Sequence, residues 1–235
     1  MATYYTPKII TDSSLVLYLD AGNPKSYIGS GTAWNDLSGN RNNGTAYGSP
    51  PFSTDGRGCF DFSSVSGANS AAASFGFTFA SNMVQTTGNF TFECWIKNPP
   101  ATNQGGMFSN AGGGDGYRFG PGNNGVYYLI GPNYTESVIG WASGTLNASL
   151  WYHVVATWDR TSAYRVNVYL NGKYENYGTM PTTQTTFTTA APGIVRSPCC
   201  GLYTGKLAAM KVYNRLLTSD EILQNYNSTK TRFGL

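Results

Sequence analysis

The chain has 235 residues, a length that suits one all-β domain and requires no second. Only 11% of the residues are charged, against about 25% in an average protein, and the net charge of +3 comes from scattered Lys and Arg. A nucleic-acid footprint needs a basic stripe and a membrane-spanning helix needs roughly 20 consecutive apolar residues; neither pattern occurs, so nucleic-acid binding and membrane insertion are set aside.

The composition describes short strands joined by tight turns: 29 Gly, many Asn, Ser and Thr, and 17 Tyr, 12 Phe and 5 Trp. Such a surface of hydroxyls, amides and tyrosines suits sugar contacts or tight subunit packing. The opening Met1-Ala-Thr-Tyr-Tyr-Thr-Pro-Lys8 lacks a basic start followed by an apolar block, which predicts synthesis in a cytoplasm.

Residues 1–13 read as a polar arm with Pro7, free to extend or to lie on a neighbour, and residues 14–235 as the domain. Leu15-Val-Leu-Tyr-Leu-Asp20 is the first predicted strand. A Gly/Asn/Ser-rich stretch follows over 21–49, then Cys59-Phe-Asp-Phe62 and a strand near 75–79. Asn89 to Lys97 alternates cleanly: Phe90, Phe92, Cys94 and Ile96 share a core face, while Thr91, Glu93, Trp95 and Lys97 share a face expected to be the outer or concave side of a sheet.

Shorter strands are predicted at 106–110, 117–119, 126–130 and 136–141. Asp115, in a run of glycines, is read as a tight turn; no Lys-Ser/Thr follows, so it is no phosphate loop. Trp151-Tyr-His-Val-Val-Ala-Thr-Trp158-Asp159 and Arg165-Val-Asn-Val-Tyr-Leu170 are two strands. The next pair, Asn171-Gly172, suits a two-residue type I′ turn, whose central residues need φ > 0, and leads into Lys173–Tyr177. Trp151 and Trp158 stand seven apart and so fall on opposite faces of a regular strand. After a Thr-rich loop over 179–189, Lys206-Leu-Ala-Ala-Met-Lys-Val-Tyr213 is the last strand.

One helix is predicted at the end. Thr218 is its N-cap and Glu221 stands at N3, a capping box, with Leu217 packing on Ile222 as a hydrophobic staple. Ile222, Leu223 and Tyr226 form an apolar stripe, and Asn225 to Ser228 are expected to end the helix. Four cysteines occur: Cys59 and Cys94 read as small buried apolar residues, and Cys199-Cys200 as free thiols or, for one of the pair, a bridge to Cys59 or Cys94. No Cys-x-x-Cys spacing exists.

Taken together these pieces resemble the laminin-G-like domains of the concanavalin A-like lectin/glucanase superfamily. The hairpin carries that group's Trp-Tyr-His-Val-x-x-Thr-Trp-Asp and Val-Tyr-x-Asn-Gly pattern. More specific are three stretches: Leu17-Tyr-Leu-Asp20-Ala-Gly-Asn23-Pro24-Lys-Ser26-Tyr27, Trp34-Asn-Asp36-Leu-Ser38-Gly39-Asn40-Arg-Asn-Asn43-Gly44, and Tyr213-Asn-Arg215-Leu-Leu-Thr218 onward to Phe233. The combination is similar to laminin-G-like domains of tailed-bacteriophage virion proteins.

The resemblance implies an all-β, two-sheet antiparallel β-sandwich (jelly roll, concanavalin A-like) with one short C-terminal helix. It also implies a virion protein made in the host cytoplasm and displayed on the particle. Capsid decoration or cementing through contacts with other virion proteins of the capsid or tail is the leading role, and the absence of a long trimerising shaft favours it. A tail- or head-fibre adhesin binding host-surface glycan is the alternative, and a glycan hydrolase comes third. Symmetric particles also make a homo-oligomer an option.

Calcium is the one cofactor in view. Asp20, Asp36 and Asp61, with Asn23 and Asn40, fall in neighbouring turns, although relatives carry a second acid after the Phe60-Asp61 position that is absent here. The competing reading is that these acids shape turns. Trp34, Trp141, Tyr127 and Tyr128 are the rings available to stack on sugars, with core packing as the competing role.

Chemistry is sparse. His153 is the single histidine and sits mid-strand, which excludes two-His zinc sites and leaves it as an aromatic-like filler. Glycoside hydrolysis needs two carboxyls roughly 5 to 9.5 Å apart, and the Glu-x-Asp-x-x-Glu strings that supply them on this fold are missing. Glu93 is the best single acid, but Trp95 holds the position of its partner. The chain is therefore expected not to be an enzyme.

Overall fold

The alternation of residues 90–97 sets the architecture, because this strand lies at the centre of one of two stacked sheets. A computed structural model describes residues 7–67, 73–80, 88–100, 106–110, 116–130, 135–179, 192–195 and 202–235, with side chains at 127–130 and 135–138 outside the description.

In chain order the strands are β1 (Leu15–Asp20), β2 (Ala33–Trp34), β3 (Gly44–Tyr47), β4 (Phe52–Ser53), β5 (Cys59–Asp61), β6 (Gly76–Thr78), β7 (Phe90–Lys97) and β8 (Phe108–Ser109). They continue as β9 (Tyr117–Gly122), β10 (Gly125–Ile130), β11 (Thr135–Gly140), β12 (Trp151–Asp159), β13 (Arg165–Leu170), β14 (Lys173–Thr179), β15 (Gly193–Ile194) and β16 (Lys206–Tyr213). Helix α1 (Ser219–Thr229) runs into a 3-10 turn, Lys230–Phe233. The first sheet runs β14-β13-β12-β7-β16-β5-β4, with β1 also paired to β16; the second runs β11-β10-β9-β8-β15-β6-β3-β2. The fold is thus an all-β, concanavalin A-like jelly roll with one short C-terminal helix, and the first and last strands pair.

Between the sheets lies one aromatic-rich core. Phe90, Phe92, Cys94 and Ile96 from β7 meet Trp158 and Val154 from β12, Tyr117 and Phe119 from β9, and Trp34, Phe60 and Phe77. Phe92 stacks on Phe119 at 5.4 Å, and Phe90 tilts against Trp158 at 4.5 Å. Trp151, on the opposite face of β12, joins a separate cluster with Trp95 and Phe233.

Two expectations need correction. The second face of β7 is not a solvent face: Thr91, Glu93 and Trp95 are all buried, because α1 and the 3-10 turn lie across them. The helix does not end at 225–228 but continues to Thr229 and then tightens, and Leu223 points outward while Ile222 and Asn225 carry its buried side. The described part of the arm, residues 7–13, packs on its own domain. Its residues lie on the helix, with Asn225 Oδ1 accepting the Ile10 amide at 2.7 Å and Gln224 Nε2 donating to the Lys8 carbonyl at 2.7 Å. Residues 1–6 are outside the described residues, as are Asp115, Cys199 and Cys200.

The helix start was legible and is built as its sequence dictates. Thr218 Oγ1 accepts the Glu221 amide at 3.2 Å, and the Glu221 carboxylate accepts the Thr218 amide at 2.9 Å. Arg215 then clamps Glu221 through both terminal nitrogens, at 2.6 and 2.7 Å. Removing the cap oxygen with Thr218→Ala should lower stability by about 1 kcal/mol. Ile222→Ala, which empties a fully buried site under the helix, should cost about 2–4 kcal/mol. Urea midpoints measure both, and an unchanged midpoint for either would show that the helix contributes nothing to the sandwich.

Candidate functional site

Two places gather polar side chains on the helix-bearing face, one sealed and one open. The sealed one follows from register. Lys211 on β16 stands directly opposite Glu93 on β7, and His153 on β12 is opposite Trp95, two residues along the same face. Lys211 Nζ donates to Glu93 Oε1, and His153 Nε2 lies 3.1 Å from the same oxygen, off the line of a straight hydrogen bond. Glu93 Oε2 accepts Asn225 Nδ2 of the helix at 2.6 Å, and that amide also reaches Tyr213 Oη at 3.0 Å.

Burial alone would raise the Glu93 carboxyl, but the Lys211 charge and the His153 and Lys211 contacts outweigh it and bring it to about 2. A group held ionised so firmly cannot serve as a general acid near neutrality. His153 is a packed ring, between Trp95 at 5.2 Å and Tyr226 at 5.8 Å, with Nδ1 unbonded.

The open place is a cleft of about 620 Å³ between three segments distant in sequence. The Asn171-Gly172 turn supplies one side. Asn171 and Gly172 both have positive φ, +50° and +78°, as a type I′ turn requires. A Cβ on Gly172 would meet Leu223 Cδ1 at 3.0 Å and Tyr226 Cβ at 3.1 Å, so only glycine lets the turn rest on the helix this closely. Asn171 Oδ1 accepts the His153 amide at 3.0 Å, which fixes the side chain and leaves its Nδ2 free. Helix residues Leu223, Tyr226 and Asn227, then Lys230, line a second side.

The loop after β11 lines the third with Ser143, Thr145 and Leu146. That loop is held to β14 by Glu175 Oε2, which accepts the Ser143 amide at 2.9 Å, and by Asn176 Nδ2, which donates to the Gly140 carbonyl at 3.1 Å. Tyr152 stands at the base, its Oη accepting the Asn147 amide at 2.9 Å. Tyr226 stacks one face on Trp95 at 5.9 Å, and Lys230 Nζ lies 5.2 Å from its ring centre.

The predicted site residues are not brought together. Trp34 is fully buried between Phe60 at 4.6 Å and Phe77 at 5.0 Å, so it cannot stack on a sugar. Trp141 is buried too, its Nε1 donating to the Gly122 carbonyl at 3.1 Å. Tyr127 and Tyr128 lie on β10, and their side chains are outside the described residues.

The calcium set does not fit a cation. Asp36 accepts the amides of Tyr18, Ser38 and Asn42 and the Ser38 hydroxyl; Asp20 accepts the Gly22 amide and Arg232 Nη1; and Asp61 accepts the Ser63 amide and lies 3.6 Å from Lys206 Nζ. These carboxylates already have donors, and no group of three His, Cys, Asp or Glu suited to a metal occurs among the described residues. The Trp34–Asn43 motif is thus a structural clasp: Asn40 and Asn42 donate to the Leu15 and Val16 carbonyls of β1. Cys59 and Cys94 are buried free thiols, and burial pushes the Cys59 thiol up to about 11.

Sequence reading missed the open cleft because its walls come from residues 143–146, 171–175 and 223–230, and nothing local links them. The one signal available was Asn227 and Lys230, three apart and so on one helix face, beside a turn that demanded glycine.

Similarity to known proteins follows the fold. A model of the Concanavalin A-like lectin/glucanases superfamily matches residues 66–223. No curated protein matches the chain. Solved structures that resemble it include the binding domain of botulinum neurotoxin DC in complex with rat synaptotagmin II, at 15% identity and TM-score 0.66, covering 94% of this chain and 52% of that one. The binding domain of Paraclostridial mosquitocidal protein 1 is similar at 13% identity and TM-score 0.65, covering 93% and 53%. A structure of botulinum neurotoxin type C, whose cell entry depends on two ganglioside molecules, is similar at 17% identity and TM-score 0.66, covering 94% and 52%. The chain thus spans about half the length of these structures, and identities this low speak to the fold alone.

The ionised carboxylates of this protein set two stability predictions, the first in the sealed cluster. Glu93→Gln leaves the Lys211 ammonium buried without its counter-charge and should cost about 3–5 kcal/mol, as should Lys211→Met. The double variant should lose clearly less than the sum of the two; additive losses in urea unfolding would show that the pair is not coupled. Glu93, Asp55 and Asp159 all sit at about 2 in the folded protein, against ordinary values of 4.5 for Glu and 3.8 for Asp. The unfolded chain binds more protons in that interval, so the stability these groups supply is complete above it and is lost as pH falls through it. Urea midpoints should be flat from neutral to about pH 5 and then decline toward about pH 2; a rise below about pH 4.5 would contradict the assignment.

Proposed function

The chain belongs to the concanavalin A-like lectin/glucanase superfamily, and on that premise we propose that it is a non-enzymatic docking module displayed on the outside of a phage particle. The observation that carries the docking reading is the state of its carboxylates. Glu93 is locked into a buried ion pair, and Asp55 is pinned by Lys97 and Lys206, both at 3.0 Å, and by Trp151 Nε1 at 3.2 Å. Asp55 and Asp61 do approach one another around Lys206. Hydrolysis of a glycosidic bond needs one of two acids kept protonated. Although burial raises the Asp55 carboxyl, its Lys206, Lys97 and Trp151 hydrogen bonds hold it at about 2.

The phage setting is supported by the motifs at 17–27, 34–44 and 213–233, which resemble those of the virion-borne group, and within it capsid decoration through contacts with other virion proteins is the first role. Synthesis in the host cytoplasm goes with that setting. A second reading, recognition of a host-surface glycan, is favoured by the open cleft with its mixed hydroxyl, amide, charged and tyrosine lining. A neurotoxin binding domain in complex with synaptotagmin II and a neurotoxin whose cell entry depends on two gangliosides share this fold, which fits a recognition role of either kind.

Imaging of particles made with and without this protein tests the first role: density on the head should disappear with the gene product, and unchanged particles would exclude a structural place there. Release of reducing sugar from host polysaccharide, abolished by Asp55→Asn, would overturn the non-enzymatic reading.

A further inference from the structure

We propose that the cleft between the Asn171-Gly172 turn, the end of α1 and the 143–146 loop binds a saccharide that carries a carboxylate, such as a uronate residue. The proposal rests on the glycan-recognition reading and gives it a place and a ligand class.

Charge decides the class. The cleft holds two ammonium groups, Lys173 and Lys230, and neither makes an ion pair with a described residue, whereas Lys97, Lys206 and Lys211 elsewhere on this sheet are all paired. The one carboxylate of the lining, Glu175, spends Oε2 on the Ser143 amide and keeps Oε1 available. The site therefore offers an excess of one positive charge, in a cleft where solvent screens less than on an open surface. The partial negative charge at the C-terminal end of α1, where Asn227 and Lys230 stand, opposes multiply charged ligands. A single carboxylate suits that balance better than a phosphate.

The neutral lining decides the rest. Asn171 Nδ2, the Asn227 amide and the Ser143 and Thr145 hydroxyls carry no hydrogen bond to another described side chain or backbone group, so donors and acceptors stand ready for vicinal hydroxyls. Tyr152, Tyr226, Leu146 and Leu223 supply the apolar surface against which the C–H face of a sugar ring packs. A volume of about 620 Å³ accommodates a short oligosaccharide. The frame is also preorganised: the turn is pinned by Asn171 to β12, the loop by Glu175 and Asn176, and the helix by Asn225 to the ion pair beneath it.

The test uses the whole chain with a galacto-oligosaccharide carrying one terminal galacturonate as the carboxylated probe and the matched neutral galacto-oligosaccharide, in titration calorimetry at low and at physiological salt. The wild type should bind the uronate at least about fivefold more tightly than the neutral sugar, with affinity falling as salt rises. Lys173→Ala/Lys230→Ala should weaken uronate binding about tenfold, and Asn227→Ala severalfold, with thermal midpoints unchanged because all three side chains are at least partly exposed. Lys25→Ala, on the 21–27 turn and not among the residues that line the cleft, should change nothing. If the uronate binds but the cleft variants leave it untouched, the site is wrong while glycan recognition stands. If only the neutral sugar binds, the ligand class is wrong. If neither probe binds and a glycan array also gives no hits, the glycan-recognition reading falls, and the cleft proposal with it.

Discussion

A carboxylate in the middle of a sheet face is the constraint around which this molecule is arranged. Glu93 sits on the central strand of its sheet, where water cannot reach it, and an unpaired ion there would be untenable. Everything laid over that face answers the demand. Lys211 arrives by cross-strand register, His153 by the diagonal on the other neighbour, and Asn225 from above on the helix. Apolar clusters flank the group on both sides: Leu15, Val155, Tyr213 and Ile222 on one, Trp95, Trp151 and Phe233 on the other. The pair contributes direction more than net stability, since a hydrophobic replacement of equal shape could match it energetically. It tells the helix which residue must lie where.

The same constraint joins distant parts of the chain. Asn225 bonds the central strand, the last strand through Tyr213 and the arm through Ile10, and Tyr213 Oη in turn donates to the Ile10 carbonyl at 3.1 Å. Farther along, Arg232 reaches Asp20 at 2.6 Å and the carbonyls of Gly56 and Gly58, so the final turn is stitched to β1 and to the turn before β5. Asp20, one of the acids that a sequence reader assigns to a cation, is an acceptor of this stitching.

Legibility in the sequence divided along the range of the forces involved. The longer strands, the type I′ turn and the capping box were legible because each depends on alternation or spacing within a few residues, as in Phe90 to Ile96 and Thr218 to Glu221, whereas the short strands Ala33–Trp34, Gly44–Tyr47, Phe52–Ser53 and Gly193–Ile194 were not. The two faces of the strand holding Trp151 and Trp158 were also legible from spacing alone. Long-range choices were not. Whether Thr91-Glu93-Trp95 faces water depends on where a helix that begins at Ser219 comes to rest. Trp34 looked like a sugar platform because a tryptophan beside a turn carries no mark of burial, and only the approach of Phe60 and Phe77 decides it. The cleft is the extreme case, since its three walls share no sequence proximity.

The arm and the closing 3-10 turn both lie on the helix-bearing sheet, on either side of the sealed ion pair. Pro7 and Lys8 border a groove that shares Leu223 and Asn227 with the cleft. The molecule is consequently lopsided: Lys8 and Ile10 on one side and Phe233 on the other are both fastened to the helix-bearing sheet, and the sheet that carries β9 and β10 turns its back to them.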